Sequence, residues 1–273
     1  MTLHPREVLA GLEQRARRRF GQNFLVDTTL AERIVRCAGV TEGDRVVEVG
    51  PGLGMLTEAL IGAGAQVTAV ELDRDLASYL RVRVPGLRLV EADAMKVRWD
   101  EVCEGDGWRV VANLPFNVGT PLVAELVKRR DRFHSLTVML QKEVVDRLTA
   151  DAGSKAYGAL TVRVRARARA RRVLSIPPSA FHPQPKVSAA VVRLDLLDEP
   201  RFGAAGGAHF DRVVKAAFSA RRKKMVNSLG ALYGREEARK AVAAVGLDGG
   251  VRAEVVGIEA FAALAAALHP HGA

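Results

Sequence analysis

Cysteine is scarce in this sequence, with two residues, Cys37 and Cys103, among 273. They form no C-x-x-C pair, so neither a disulfide-stapled secreted scaffold nor a zinc site built from thiolates is expected. Long apolar stretches are missing too, because residues 1–20 contain no apolar segment of a signal peptide. The longest late apolar run, residues 261–268, is far shorter than the roughly 20 residues that cross a bilayer. These absences predict a cytoplasmic protein with no membrane partner.

Acidic residues are fewer than basic ones: 31 Asp plus Glu against 41 Lys plus Arg give a net charge of +10. Most of the excess lies in residues 1–25, 161–173 and 221–224. Clustered Lys and Arg are typical of proteins that bind a phosphate backbone, although any one cluster alone could equally be a solvated face. The three clusters together favour a nucleic-acid partner.

Short β-branched runs alternate with helical stretches between residues 41 and 141. The predicted strands are residues 45–49, 66–71, 87–90, 109–112 and 136–141, and the predicted helices are residues 55–62, 74–83, 121–129 and 142–150. The strands are apolar almost throughout, which is typical of strands that are covered on both faces. The sequence therefore predicts an α/β fold with a doubly wound, parallel, Rossmann-like sheet.

Arginine alternates with Val or Ala between residues 163 and 171. A period of two predicts a strand that carries all five guanidinium groups on one side. That side would be either a solvated outer sheet face or an additional contact surface for phosphates. The arginines concerned are Arg163, Arg165, Arg167, Arg169 and Arg171.

The last quarter of the chain has helical rather than strand periodicity. Another apolar strand is predicted at residues 189–194, and a stretch with Pro and Gly at residues 199–207 resembles a linker. The helices predicted beyond it are residues 210–218, 225–232, 235–245 and 258–268. We therefore expect two domains, residues 1–199 and a smaller helical domain, residues 200–273.

A glycine-rich loop, E-V-G-P-G-L-G-M at residues 48–55, follows the first predicted strand of the sheet. Glycines let the chain turn sharply and let a ligand approach the main chain. The dinucleotide pattern requires Gly or Ala where this chain has Met55, and a phosphate loop of the G-x-x-x-x-G-K type is absent. Acidic-x-G-x-G-x-G instead resembles the first motif of S-adenosylmethionine-dependent methyltransferases, although the loop alone could be only a tight turn.

Two acidic residues follow the next two predicted strands. Glu71 ends the second strand, where a carboxylate can accept hydrogen bonds from both ribose hydroxyls of an adenosine-containing cofactor. Asp93 follows the third strand and could accept a hydrogen bond from the adenine amino group. Either acid alone could be a helix N-cap or a solvated loop residue, but the ordered combination with the glycine loop favours a cofactor site.

The tetrapeptide N-L-P-F at residues 113–116 follows the fourth strand. The exocyclic amine of adenine is a poor nucleophile, and the side-chain oxygen of Asn113 and the carbonyl of Leu114 are candidate acceptors that could hold it. Pro115 would stiffen the turn, and Phe116 offers a face on which an extruded base can stack. Attack on a sulfonium methyl then depends mainly on positioning and needs no metal. Alone, the tetrapeptide could be a simple turn at the end of a strand.

Four motifs in this order resemble the ribosomal RNA adenine dimethyltransferases: R-F-G-Q-N-F-L at residues 19–25, the loop at 48–57, N-L-P-F at 113–116 and F-H-P-Q-P-K-V-S at 181–188. The similarity continues through residues 154–158 and 218–224, so it covers nearly the whole chain. It implies that S-adenosylmethionine is the cofactor and that the substrate is two adjacent adenosines near the 3′ end of small-subunit (16S) ribosomal RNA in an immature 30S particle. A monomer is sufficient for this chemistry.

The resemblance also assigns residues by position. Phe116 and Phe181 would hold the target adenine between them, with Asn113, Leu114 and Pro115 completing the catalytic site. Phe116 stands where many bacterial members have tyrosine, so stacking is kept and a phenolic hydroxyl is lost. The expected cofactor contacts are Gln22, Asn23, Leu25, Gly50, Gly52, Gly54, Glu71, Leu72, Asp93, Ala94 and Asn113. The expected RNA contacts are Arg17, Arg18, Arg19, Lys186, Arg221, Arg222 and Lys223.

Two other functions are compatible with parts of this sequence. The related enzymes that dimethylate one adenine of large-subunit ribosomal RNA, and so confer macrolide resistance, share the cofactor loop and the motif at residues 181–187. The segments 218–224 and 227–229 resemble the small-subunit enzymes instead. A noncatalytic RNA-binding assembly factor would need the basic clusters, but it would need neither Asn113 nor the glycine loop.

Overall fold

The chain folds into two compact units in the computed structural model, which describes residues 23–220 and 223–268. The first unit comprises Met1–Val145 and Ala170–Leu196, and the second comprises Asp146–Arg169 and Leu197–Ala273. The domain boundary at residues 199 and 200 stays a prediction, and the contacts of Asp146–Arg169 place that segment in the second unit.

The first unit is built on a sheet of seven strands within the described residues. The strands in chain order are β1 (Phe24–Leu25), β2 (Arg45–Val49), β3 (Gln66–Glu71), β4 (Arg88–Glu91), β5 (Trp108–Asn113), β6 (Phe133–Gln141), β7 (Ala168–Ile176), β8 (Phe181–His182) and β9 (Ala189–Leu196). The order across the sheet is β4-β3-β2-β5-β6-β9-β7, and β1 pairs with β8 outside it. The neighbouring strands β4, β3, β2, β5 and β6 are parallel, as predicted, whereas β9 runs antiparallel to β6.

Six helices accompany these strands within the described residues, and the second to the fifth of them connect consecutive parallel strands. They are α1 (Thr28–Ala38), α2 (Met55–Gly62), α3 (Arg74–Arg83), α4 (Trp99–Val102), α5 (Gly119–Leu126) and α6 (Lys142–Leu148). The bounds of α2 and α3 are those predicted. The start of α3 is fixed by Asp73, whose carboxylate accepts hydrogen bonds from the backbone N–H groups of Asp75 and Leu76 at 3.0 and 3.4 Å. A local cap therefore marks the start of α3 in the sequence, whereas α2 begins after Gly54 without a side-chain cap.

The order of the strands creates a switch point. From β2 the chain proceeds to β3 and β4 on one side, and then returns to β5 on the other side of β2. In open α/β sheets, ligands bind outside the carboxyl ends of the strands at such a point. The carboxyl ends of β2, β3 and β5 are therefore where a functional cleft is expected.

The second unit is helical. Its helices are α7 (Ala159–Arg165), α8 (Gly207–Ala217), α9 (Met225–Tyr233), α10 (Arg235–Ala244) and α11 (Ile258–Ala267), and α8 to α11 confirm the four predicted helices within a few residues. They surround an apolar core in which Phe210, Leu229 and Phe261 are fully buried. No helix within residues 23–220 and 223–268 has the length and apolar character needed to cross a bilayer.

The prediction that the alternating arginines share one strand face is wrong. Arg163 lies on α7, Arg167 follows that helix, and β7 begins only at Ala168. The helix and the turn that follows it bring Arg163 and Arg167 to the same carboxylate, that of Asp211, with N···O distances of 3.2 and 3.0 Å. The guanidinium carbon of Arg167 also lies 4.7 Å from the ring centre of Phe202. A partner distant in the sequence therefore decides the local structure.

This ion pair gives a stability prediction. The Asp211→Asn variant is expected to lower the free energy of unfolding by about 3 kcal/mol, since the buried charge of Arg167 would lose its counter-ion. The matched control is Asp151→Asn, because Asp151 is 90% exposed where it pairs with Arg165 and should contribute less than about 1 kcal/mol. Urea denaturation of both variants measures the difference, and equal small losses would show that Asp211 is not needed.

Candidate active site

A cleft lies at the predicted switch point, at the carboxyl ends of β2, β3 and β5. The polar side chains that line it come from Asn23, Glu48, Glu71 and Asn113. The remaining lining residues are Phe24, Leu25, Gly50, Pro51, Gly52, Leu53, Met55, Leu56, Leu76, Leu114, Pro115 and Phe116. The structure therefore brings together the glycine loop, the acid of the second strand and the N-L-P-F tetrapeptide.

The glycine loop has a backbone that other residues rarely adopt. Gly50, Gly52 and Gly54 have φ values of 67°, 59° and 84°, in the left-handed region that glycine tolerates best. A Cβ atom on Gly52 would also lie 2.9 Å from Cδ1 of Phe24, which is closer than real Cβ contacts. The backbone N–H of Gly52 donates a hydrogen bond of 3.2 Å to Oε2 of Glu71. Both the turn and the close approach therefore require glycine at this position.

Glu71 ends β3 and is 5% exposed. Its other oxygen, Oε1, accepts a hydrogen bond of 2.9 Å from the backbone N–H of Asp73. Burial raises the pKa of Glu71 above its ordinary value, and the backbone hydrogen bonds from Asp73 and Gly52 oppose the rise. The main chain thus fixes this carboxylate at the edge of the cleft, where we predict that it accepts the ribose hydroxyls.

Sequence reasoning gave no role to Glu48, which the structure places in the cleft at 1% exposure. Its Oε2 accepts a hydrogen bond of 2.6 Å from the hydroxyl of Thr57 on α2. The pKa of Glu48 is raised to about 8, mainly by burial; the Thr57 hydrogen bond opposes the rise, and the nearby charge of Glu71 adds to it. The sequence signal that could have identified Glu48 is its position as the acidic residue that begins the glycine motif.

Asn113 ends β5, and its Nδ2 donates a hydrogen bond of 3.0 Å to the backbone oxygen of Asn23. This bond orients the amide and leaves its side-chain oxygen as an acceptor. Leu114 is fully buried, with its backbone N–H on the carbonyl of Met139 at 3.2 Å. The Pro115 carbonyl accepts from Gly119 at 2.9 Å, where α5 begins. The tetrapeptide is therefore held on both sides by the sheet and by a helix.

The two aromatic residues assigned to the target adenine differ in exposure. Phe181 is 4% exposed and pairs with Leu25 between β8 and β1. Phe116 is half-buried, lines the cleft and packs against the same apolar cluster as Phe181. The structure thus brings both rings to one cluster, with Phe116 the more accessible, and the adenine-holding role of the pair stays a prediction.

Besides Gly54, three predicted cofactor contacts among the described residues lie outside the lining of the cleft. Leu72, which directly follows Glu71, has 54% of its surface exposed. Asp93 accepts a hydrogen bond of 2.9 Å from the backbone N–H of Met95, and its carboxylate lies 3.8 Å from Nζ of Lys96. Ala94 is half-buried beside it. These residues follow β3 and β4 at the same sheet edge, and their contact with the cofactor stays a prediction.

The basic residues assigned to RNA are only partly described. Lys186 and Lys223 are exposed. The expected cofactor contact Gln22 and the expected RNA contacts Arg17, Arg18, Arg19, Arg221 and Arg222 lie outside the described residues. Over the described part of the chain, no cluster of three or more His, Cys, Asp or Glu side chains could hold a metal ion.

The fold and the cleft together define a class of protein. A parallel sheet with the β4-β3-β2-β5-β6 order, a glycine loop after β2, an acid ending β3 and N-L-P-F after β5 make this chain a Rossmann-like methyltransferase. Within that class, the chain belongs to the family described as ribosomal RNA adenine dimethylase, which it matches over residues 13–269. It is accordingly an enzyme that uses S-adenosylmethionine as the methyl donor.

Individual relatives agree with this assignment. The chain is 46% identical over 253 residues to the ribosomal RNA small subunit methyltransferase A of Magnetococcus marinus, covering 91% of this chain and 90% of the relative. It is 44% identical to the protein of the same name from Bordetella bronchiseptica, covering 94% and 96%. Among solved structures, the 23S rRNA methyltransferase ErmE superimposes with a TM-score of 0.70 at 27% identity, covering 90% of this chain and 99% of that one.

A second solved structure, a dimethyladenosine transferase from Plasmodium falciparum, shares the fold with a TM-score of 0.76 at 23% identity, covering 88% of this chain and 95% of that one.

The residues of the cleft also fit the methyl donor. Its described lining contains two buried carboxyl groups, amides and apolar side chains, and no cationic side chain. Such a lining suits a ligand that carries a sulfonium cation and an adenosine.

Proposed function

We propose that this enzyme methylates N6 of two adjacent adenosines in the 3′-terminal hairpin loop of small-subunit (16S) ribosomal RNA, which gives two N6,N6-dimethyladenosines. The observation that carries the proposal is the cleft, in which Asn113 lies at the same sheet edge as the glycine loop and Glu71. The name of the relatives that are 46% and 44% identical supports the small-subunit substrate. We further propose that the enzyme acts in the cytoplasm, as a monomer, on an immature 30S particle.

The proposed reaction depends on positioning. S-adenosylmethionine, when bound, supplies a methyl group that its sulfonium makes electrophilic. The side-chain oxygen of Asn113 and the carbonyl of Leu114 accept hydrogen bonds from the N6 amino group, which turns the nitrogen lone pair out of conjugation and toward the methyl. Phe116 stacks on the extruded base, a contact worth roughly 1–3 kcal/mol. In each transfer an N6–CH3 bond would form, the S–CH3 bond would break and one N6 proton would leave to solvent, and four transfers, two on each adenosine, would complete the modification.

The residues of the cleft also bind and orient the donor. Glu71, fixed by the N–H groups of Gly52 and Asp73, accepts the ribose hydroxyls. The glycine loop lets the ligand approach the main chain, and the apolar side chains of Phe24, Leu53 and Leu76, which cluster beside it, exclude water. Holding both reactants in line supplies most of the acceleration.

A methylation assay on ribosomal particles tests the substrate. The enzyme is incubated in parallel with 30S-derived and 50S-derived particles that lack the modification, together with methyl-labelled S-adenosylmethionine. We expect label only in the small-subunit RNA, and mass mapping of the 3′ hairpin should find two dimethyladenosines. Label confined to the large-subunit RNA would instead support the activity named for ErmE. Binding of 30S particles without any label would support a noncatalytic assembly factor.

A further inference from the structure

Two buried carboxyl groups face the same cleft. Glu48, 1% exposed, and Glu71, 5% exposed, lie on the adjacent parallel strands β2 and β3. Their hydrogen bonds differ, because the oxygens of Glu71 accept from two backbone N–H groups, whereas Glu48 accepts from the hydroxyl of Thr57. Hydrogen bonds from backbone N–H groups stabilise a carboxylate. A negative charge is therefore less stabilised on Glu48 than on Glu71.

Within residues 23–220 and 223–268, the charged groups on the elements packed against Glu48 provide no counter-ion. On β3 it faces Glu71, and Asp73 lies just beyond. The charged group of α2 is Glu58, which is paired with Arg83 at 2.8 Å. The cation of β5 is Arg109, which is bonded to Asp44 at 3.0 Å. A second negative charge at Glu48, buried beside Glu71, is therefore costly, in agreement with the direction of its raised pKa.

We propose that Glu48 loses its proton when the methyl donor binds, and that it thereby distinguishes the cationic sulfonium from the neutral thioether that remains after transfer. This inference rests on the proposed placement of the cofactor in the cleft. On binding, the O–H bond of Glu48 breaks, the proton goes to solvent, and the carboxylate is balanced by the sulfonium. After transfer the positive charge at sulfur is gone, Glu48 takes up a proton again, and the product is held less tightly.

Deprotonation of Glu48 on binding makes the affinity for S-adenosylmethionine depend on pH. Because the pKa of Glu48 in the free enzyme is about 8, the carboxyl group is mostly protonated at neutral pH. Affinity for S-adenosylmethionine is then expected to rise about tenfold per pH unit toward pH 8 and to level off above it. Affinity for S-adenosylhomocysteine, which has no sulfonium, should change far less over the same range.

Isothermal titration calorimetry of the full chain tests this inference. S-adenosylmethionine and S-adenosylhomocysteine are titrated at pH 7 in two buffers of different ionisation enthalpy, which gives the number of protons released on binding. We expect the Glu48→Gln variant to release about one proton fewer than the wild type with the sulfonium ligand, and the same number with the thioether. Subtracting proton release by the variant from that by the wild type removes the contribution of protons that the ligand itself gains or loses on binding.

Two further variants provide a matched control and a second test of the role of Glu48. Glu42→Gln is the matched control, because Glu42 is exposed outside the cleft and should leave proton release unchanged. Thr57→Val removes the hydrogen bond that favours the ionised form, so the pH at which sulfonium affinity levels off should move upward. Thr57 is fully buried and does not line the cleft, so this shift would come through Glu48.

The outcomes are distinguishable. Equal proton release by the wild type and Glu48→Gln, or an unmoved pH profile in Thr57→Val, would overturn the inference while leaving the cofactor site intact. Failure of both ligands to bind the wild-type chain would instead contradict the proposed site itself, and the inference with it.

Discussion

Asn113→Ala is expected to slow methyl transfer by about 10²–10³-fold, the usual effect of removing a side chain that is aligned with the reacting group. The amide oxygen of Asn113 is the acceptor that would hold N6 of the target adenosine. The variant also loses the hydrogen bond from Nδ2 to Asn23. A net hydrogen bond contributes about 0.5–1.5 kcal/mol, so cofactor affinity should fall by no more than about tenfold. Single-turnover methylation and calorimetry measure the two effects separately.

The control for this variant is Asn117→Ala. Asn117 is exposed on the same loop and does not line the cleft. It should retain most of the wild-type rate. A loss of turnover in Asn113→Ala that is no larger than its loss of cofactor or RNA affinity would mean that Asn113 only binds, and the catalytic role would have to be withdrawn.

Gly52→Ala should have the largest effect on cofactor binding, with a loss of affinity for S-adenosylhomocysteine of about 30-fold or more. A side chain at a φ of 59° costs roughly 1–2 kcal/mol. The new Cβ would also collide with Phe24, which lines the cleft. Relief of that contact moves either the ring or the loop, and the loop carries the N–H that fixes Glu71. Calorimetry with the wild type and the variant measures the loss.

Gly43→Ala separates backbone strain from loss of the site. Gly43 has a φ of 81°, and a Cβ there would meet nothing within 4 Å. Both variants should lose thermal stability, but Gly43→Ala should bind S-adenosylhomocysteine like the wild type. Similar affinities in the two variants would show that the Gly52 loop does not depend on its close contact with Phe24.

Much of the sheet could be predicted because its signals are local. The helices Met55–Gly62 and Arg74–Arg83 were predicted from helical spacing, and the structure adds that Asp73, which directly precedes the second of them, caps it. The strands that became β2 and β3 are mostly apolar, as is typical of strands covered on both faces, and the glycine loop and Glu71 lie at their ends. The position of the cleft follows from the same pattern through the switch point.

The features that could not be predicted depend on distant partners. The alternation of arginine with small residues is compatible with a strand, yet Arg163 and Arg167 are organised by Asp211. The direction of β9 is set by its pairing with β6, for example Leu136 opposite Leu194. The raised pKa of Glu48 arises from its burial beside Thr57 and Glu71. None of these contacts is visible in a local window of sequence.

A structure of the enzyme with bound S-adenosylhomocysteine tests the central claim most directly. We expect the ligand to lie along the glycine loop, with its ribose hydroxyls on Glu71 and its sulfur directed toward Asn113. A ligand bound at another surface, with the side chain of Asn113 out of its reach, would contradict the assignment of this cleft as the site of methyl transfer.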